Sequence, residues 1–67
     1  MKISARNQIP GRVVQIVPGA VNASVKVDIG GRLITAAITN EAVAELGLLV
    51  DDEVMVIVKA SDVMLGK

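Results

Sequence analysis

A chain of 67 residues makes at most one domain, so we treat residues 1–67 as a single domain with a small core. It contains no Cys and no His, which excludes disulfides and leaves only carboxylates for direct metal ligation. Because the core is small, association with other chains is the remaining way to bury more surface. Seven basic residues balance seven acidic ones, so the charge favours neither a nucleic acid nor a membrane surface as a partner.

The first half of the chain predicts a meander of three strands. Arg12–Val17 is a β-branched run that ends at Pro18-Gly19, where we expect a type II turn. Val21–Ile29 alternates apolar and polar residues without a fault, which indicates a half-buried strand. Gly30-Gly31 then predicts a two-residue hairpin turn, and Arg32–Ile38 returns as the third strand. In this register three pairs face each other: Ile29 and Arg32, Val27 and Ile34, Val25 and Ala36.

The second half predicts one short helix and a last strand. Thr39 suits the N-cap of a helix that stops at Gly47, and Val54–Val58 follows as a core strand. Val63–Leu65 is expected to add a short fifth segment beyond Ser61-Asp62. The resulting class is all-β with one short helix, and five short strands with that helix match a small OB-like Greek-key β-barrel.

The predicted strands are apolar on both faces. In the last strand Val54, Val56 and Val58 share one side, while Met55 and Ile57 occupy the other. A barrel has one interior, so a second apolar face needs another subunit to cover it. The pattern therefore predicts a homo-oligomer.

Polar residues at the two ends of the chain are the candidates for binding chemistry. Ser4, Arg6, Asn7 and Gln8 supply a hydroxyl, a guanidinium and two amides just before a strand, and Lys59 ends the last strand. Two cations with several hydrogen-bond donors suit a dianion. The simpler interpretation is that Arg6 is a solvated surface residue and Lys59 merely terminates its strand. No candidate nucleophile has a base beside it, so we expect no enzyme and no catalytic residue.

The opening segment Met1–Gln8, with the sequence MKISARNQ, resembles the start of proteins of the molbindin (Mop) family. Further similarity covers nearly the whole chain and lies at four places: PGAVNA (18–23), AIT (37–39), LGL (46–48) and VKASDVM (58–64). The combination of SARN near the start with VKASDVM near the end is more specific than either motif alone.

The resemblance implies an OB-like barrel that assembles as a hexamer and holds molybdate or tungstate, without an organic cofactor, at subunit interfaces. Carried over to this chain, the main site uses the side chains of Ser4, Arg6 and Lys59 and the backbone amide of Ala60. Asn22 is the candidate for a second set of sites on threefold axes. The implied role is storage or buffering of the oxyanion, and the absence of cysteine and of an apolar leader favours the cytoplasm.

The chain departs from the pattern of the molbindin (Mop) family at two places, and three other functions are alternatives to oxyanion binding. The Gly30-Gly31 turn is shorter than in many relatives, and Asp51-Asp52 stands where a glycine is common.

Leu46–Leu48 followed by Asp52–Val54 resembles a motif of swapped-hairpin DNA-binding regulators, although the chain lacks their basic arm. An OB-like single-strand binder would need aromatic side chains, of which there are none. A module cut from a larger transporter or regulator is the third alternative, against which Met1 favours a free-standing protein.

Overall fold

The computed structural model describes residues 1–67 in the predicted order of three strands, a helix and a strand. A short 3₁₀ turn, residues Ala60–Asp62, follows the last strand. The element bounds are β1 Asn7–Pro18, β2 Asn22–Asp28, β3 Leu33–Thr39, α1 Asn40–Leu46 and β4 Glu53–Val58.

All four strands form one antiparallel sheet with the order β3-β2-β1-β4. Three consecutive strands form a meander and the fourth returns beside the first, which is the Greek-key connection. The sheet curls into a half-barrel and leaves β3 and β4 as its two outer strands. The predicted class, strands with one short helix in an OB-like Greek-key arrangement, is confirmed.

The β2–β3 hairpin has the predicted register. Val25 pairs with Ala36 and Val27 with Ile34, and the Ile29 amide donates to the Arg32 carbonyl at 2.8 Å. Both turn glycines have positive φ, +104° for Gly30 and +90° for Gly31. Only glycine adopts such a pair of conformations without strain, so the two-residue turn follows directly from the sequence.

Strand β1 begins at Asn7 rather than at the predicted Arg12. Its first part pairs with β4 and its second with β2, and Arg12 is the residue that pairs with both. Pro10 lies beyond the stretch paired with β2, so it interrupts no hydrogen bonds on that side. A Cβ at Gly11 would lie 2.6 Å from a methyl carbon of Val27, so this glycine lets the two strands approach closely where the sheet curls.

The predicted type II turn at Pro18-Gly19 is wrong. A type II turn needs positive φ at its third residue, and Gly19 is not among the positive-φ glycines of the chain. Instead, a Cβ at this position would lie 2.5 Å from the carbonyl oxygen of Asn22. Gly19 is therefore required for close packing of the loop on itself and not for its backbone conformation.

The helix boundaries follow the predicted capping residues. The Thr39 hydroxyl accepts a hydrogen bond from the Ala42 amide at 3.0 Å, and Gly47 ends the helix with φ +62°. The predicted fifth segment at Val63–Leu65 is wrong, because these residues form no strand. Met64 and Leu65 are more than 90% exposed, and no strand edge of the chain pairs with them.

The core of the isolated chain is very small. Only four of 67 residues are buried, Val13, Ala23, Val25 and Val27, all on the inner face of the half-barrel. The chain exposes 5352 Å², whereas a folded monomer of its mass exposes about 4,000 Å². The excess of roughly 1,300 Å² includes the outer face of the sheet, where Leu33, Met55 and Ile57 are exposed as the two-sided pattern predicted.

Candidate functional site

A recess of about 630 Å³ lies at the end of the sheet where β1 begins and β4 ends. Segments from both ends of the chain line it, one preceding β1 and one following β4. The lining residues are Ile3, Ser4, Ala5, Arg6, Ile57, Lys59, Ala60, Ser61 and Asp62.

Pairing between β1 and β4 brings these two segments together. Asn7 faces Val58 in the register, and the Asn7 side-chain amide donates to the Val58 carbonyl at 3.1 Å. The Gln8 side-chain amide donates to the Ala5 carbonyl at 3.0 Å. The side-chain amides of Asn7 and Gln8, which the sequence suggests as donors to a ligand, instead bind backbone carbonyls around the recess. Arg6 and Lys59 each flank one of the paired residues.

The 3₁₀ turn shapes the other wall of the recess. The Asp62 amide donates to the Lys59 carbonyl at 2.9 Å, and the Val63 amide donates to the Ala60 carbonyl at 3.2 Å. Side chains three positions apart lie on the same side of a 3₁₀ turn, which explains why Lys59 and Asp62 both line the recess. Neither bond of the turn uses the Ala60 amide.

The recess carries two cations, Arg6 and Lys59, and one carboxylate, Asp62, so its formal charge is +1. The guanidinium, the ammonium and the Ser4 hydroxyl take part in none of the side-chain hydrogen bonds within the chain. These groups, all on exposed residues, are available to a ligand. Two cations with free hydrogen-bond donors are the groups that suit a small anion.

The structure thus brings together four of the five predicted site residues, Ser4, Arg6, Lys59 and Ala60. Asn22 lies elsewhere, exposed at the start of β2 and paired with Thr39. Sequence reasoning missed Ser61 and Asp62. Their proximity to Lys59 in the sequence was visible, but only the turn geometry places them on the recess.

A second cleft of about 710 Å³ lies where β1 passes from β4 to β2. Arg12 is its only cation and pairs in register with Asp28 on one side and Glu53 on the other. No predicted site residue lines it, and its formal charge is −1. Its charge makes it the less suitable of the two clefts for an anion.

Comparison with known proteins assigns the chain to a family. The family model described as TOBE domain matches residues 3–65. The chain belongs to the TOBE domain family. Within it, this TOBE domain is 51% identical over 67 residues to the probable molybdenum-pterin-binding protein of Haemophilus influenzae, with 98% of this chain and 97% of the relative covered. It is 46% identical to molybdenum-pterin-binding protein 2 of Clostridium pasteurianum, with 97% of each protein covered.

A solved structure of a molybdate-binding protein from Sporomusa ovata superposes with a TM-score of 0.96 over 100% of both chains, at 42% sequence identity. These matches confirm the resemblance to the molbindin (Mop) family and do not support a swapped-hairpin DNA-binding regulator. The names of these relatives describe binding proteins. No helix of this TOBE domain has the length and apolar character needed to cross a membrane.

Proposed function

We propose that this chain binds molybdate or tungstate, as the intact tetrahedral oxyanion, in the recess between the start of β1 and the end of β4. The observation that carries the proposal is the meeting of Ser4, Arg6, Lys59 and Ala60 in one recess. These residues come from opposite ends of the sequence, so adjacency along the chain does not explain their meeting. The names of the relatives from Haemophilus influenzae and Sporomusa ovata support the choice of ligand.

The groups of the recess match the chemistry of the ligand. Molybdate is a dianion with four acceptor oxygens and no donor at neutral pH. Arg6 and Lys59 supply two positive charges, while the Ser4 hydroxyl and the Ala60 amide are donors for remaining lone pairs. A planar guanidinium contacts two oxygens of one anion, which fixes its orientation as well as its charge.

The names of the relatives from Haemophilus influenzae and Clostridium pasteurianum mention a molybdenum-pterin, which is a second candidate ligand. Pockets for ring-shaped ligands are usually lined by aromatic side chains, and this chain has no Phe, Trp or Tyr. The free oxyanion is therefore the better match. Titration with molybdate alone separates the two, because a site that requires the pterin binds no free oxyanion.

Association into a homo-oligomer, with a hexamer as the specific expectation, is part of the proposal. The excess accessible area of roughly 1,300 Å² per chain exceeds the ~800 Å² that one standard interface covers on each partner. Each chain is thus expected to contact more than one neighbour. The exposed recess would then be completed by a neighbouring subunit. Asn22 is proposed to contribute to a separate oxyanion site on a threefold axis.

The physiological role that we propose is reversible storage or buffering of the oxyanion in the cytoplasm, without chemical change. Neither serine of the recess is hydrogen-bonded through its hydroxyl to Lys59 or Asp62, which fits a binding role. Recovery of unaltered molybdate after binding, measured by elemental and ultraviolet analysis, tests this part. Cell fractionation tests the location.

Calorimetric titration with molybdate tests the site itself. Arg6→Ala and Lys59→Met should each weaken binding by at least roughly 30-fold, because each removes one charge that faces the dianion. Arg6→Lys keeps the charge but loses the planar fork, so an intermediate loss is expected. The matched control is Arg32→Ala, which removes an exposed arginine at the β2–β3 hairpin, outside the recess. Affinities within twofold of wild type for both Arg6→Ala and Lys59→Met would place the site elsewhere.

A further inference from the structure

We infer that Asp62 is a specificity-determining residue of the recess and that its carboxylate sets the preference between divalent and monovalent tetrahedral anions. The inference rests on the proposed function, because it concerns the same recess. It starts from the observation that the acidic residue Asp62 lines the same recess as Arg6 and Lys59.

The turn geometry fixes Asp62 on this wall. The backbone amide of Asp62 donates to the Lys59 carbonyl at 2.9 Å, which closes the turn. The residue is exposed, and its carboxylate takes part in none of the side-chain hydrogen bonds within the chain. The carboxylate therefore does not stabilise the turn through a hydrogen bond. Its main effect is expected to be its electrostatic interaction with a bound anion.

Electrostatics determines the sign and the scaling of that effect. A carboxylate repels a bound anion, and the repulsion is proportional to the charge of the anion. Asp62 therefore opposes a dianion such as molybdate about twice as strongly, in free energy, as a monoanion of the same shape. It lowers the formal charge of the recess from +2 to +1. The consequence is weaker binding of molybdate and a smaller advantage of dianions over monoanions.

Asp62→Asn removes the charge and keeps the size of the side chain. Titration of the full-length oligomer at low ionic strength compares molybdate with perrhenate, a tetrahedral monoanion. We expect about tenfold tighter binding of molybdate and about threefold tighter binding of perrhenate, since the logarithmic change scales with charge. Both gains should shrink in about 1 M salt, where the Debye length falls to ~3 Å.

Glu45→Gln on α1 is the control, because it makes the same charge change outside the recess and should leave both affinities unchanged. Equal changes for the two anions, or no tightening of molybdate binding, would show that Asp62 does not act through its charge and would overturn this inference alone. In that case wild-type binding and its loss in Arg6→Ala would still stand. If the wild-type oligomer binds no molybdate, the proposed function fails and this inference fails with it.

Discussion

Met55→Lys tests whether the outer face of the sheet is covered by another subunit. Met55 lies on β4, is 44% exposed in the single chain and is followed on the same face by Ile57, which is 37% exposed. In an isolated chain the lysine would reach water, and the free energy of unfolding should change by no more than about 0.5 kcal/mol. In an assembly that covers this face, the same lysine would be buried without a partner.

The expected effect on assembly is large. Burying a Met side chain fully contributes about 1.5 to 3 kcal/mol, so the exposed 44% corresponds to roughly 1 kcal/mol per copy. An ammonium buried without a partner costs about 3 to 5 kcal/mol more. The sum of at least about 4 kcal/mol weakens association roughly thousandfold per copy. An oligomer that is stable at micromolar concentration should therefore dissociate.

Sedimentation velocity at micromolar concentration measures the result, together with the concentration dependence of the melting temperature. Wild type should sediment as a hexamer, and its melting temperature should rise with protein concentration. Met55→Lys should sediment as smaller species. Ala44→Lys, which adds the same charge on exposed α1, should behave as wild type. The reasoning is refuted if Met55→Lys and wild type sediment alike and melt alike at every concentration.

Two further predictions concern local stability, and chemical denaturation at one fixed protein concentration measures both. Thr39→Ala should lower the free energy of unfolding by about 1 kcal/mol, since the hydroxyl that accepts from the Ala42 amide is lost; an unchanged value would mean that this helix end contributes nothing. Asp51 has a φ of +79°, so Asp51→Val should destabilise the chain by at least about 1 kcal/mol. Asp51→Gly should be neutral or stabilising by up to about 1 kcal/mol, and equal effects of the two substitutions would contradict the backbone argument.

The parts of the fold that the sequence predicts are those governed by local rules. The β2–β3 register follows from strict alternation joined by two glycines, and the helix follows from Thr39 and Gly47 at its ends. The predictions are wrong where contacts between distant parts of the sequence determine whether a segment forms a strand. Proline and glycine are unusual inside a strand, yet Pro10 and Gly11 belong to β1. Both pair with residues of β4, and the missing side chain of Gly11 lets β1 lie close to Val27 of β2. Val63–Leu65 has a strand-like composition but no partner strand in the chain, so it forms no strand and its side chains stay exposed.

For the candidate site, the sequence indicates residues but not how the fold arranges them. Donor chemistry indicates Ser4, Arg6 and Lys59, and the family resemblance adds Ala60. Only the pairing of β1 with β4 brings these residues together. The sequence does not predict Asp62 at this place, because an acidic residue is not an expected neighbour of an anion. Its position on the recess depends on the 3₁₀ turn, which neither periodicity nor composition indicates.

The pairing of β1 with β4 joins the most distant parts of the sequence, with Asn7 and Val58 separated by 51 positions. Closing such a long loop is costly in chain entropy, and this closure is what creates the recess. If the recess binds molybdate as proposed, occupancy of the recess and pairing of β1 with β4 are one coupled equilibrium. At a ligand concentration one hundred times Kd, binding would add about 2.7 kcal/mol to the stability of the closed state. On the proposed function, removal of the ligand would take this stabilisation away from the pairing that holds the two ends of the chain together.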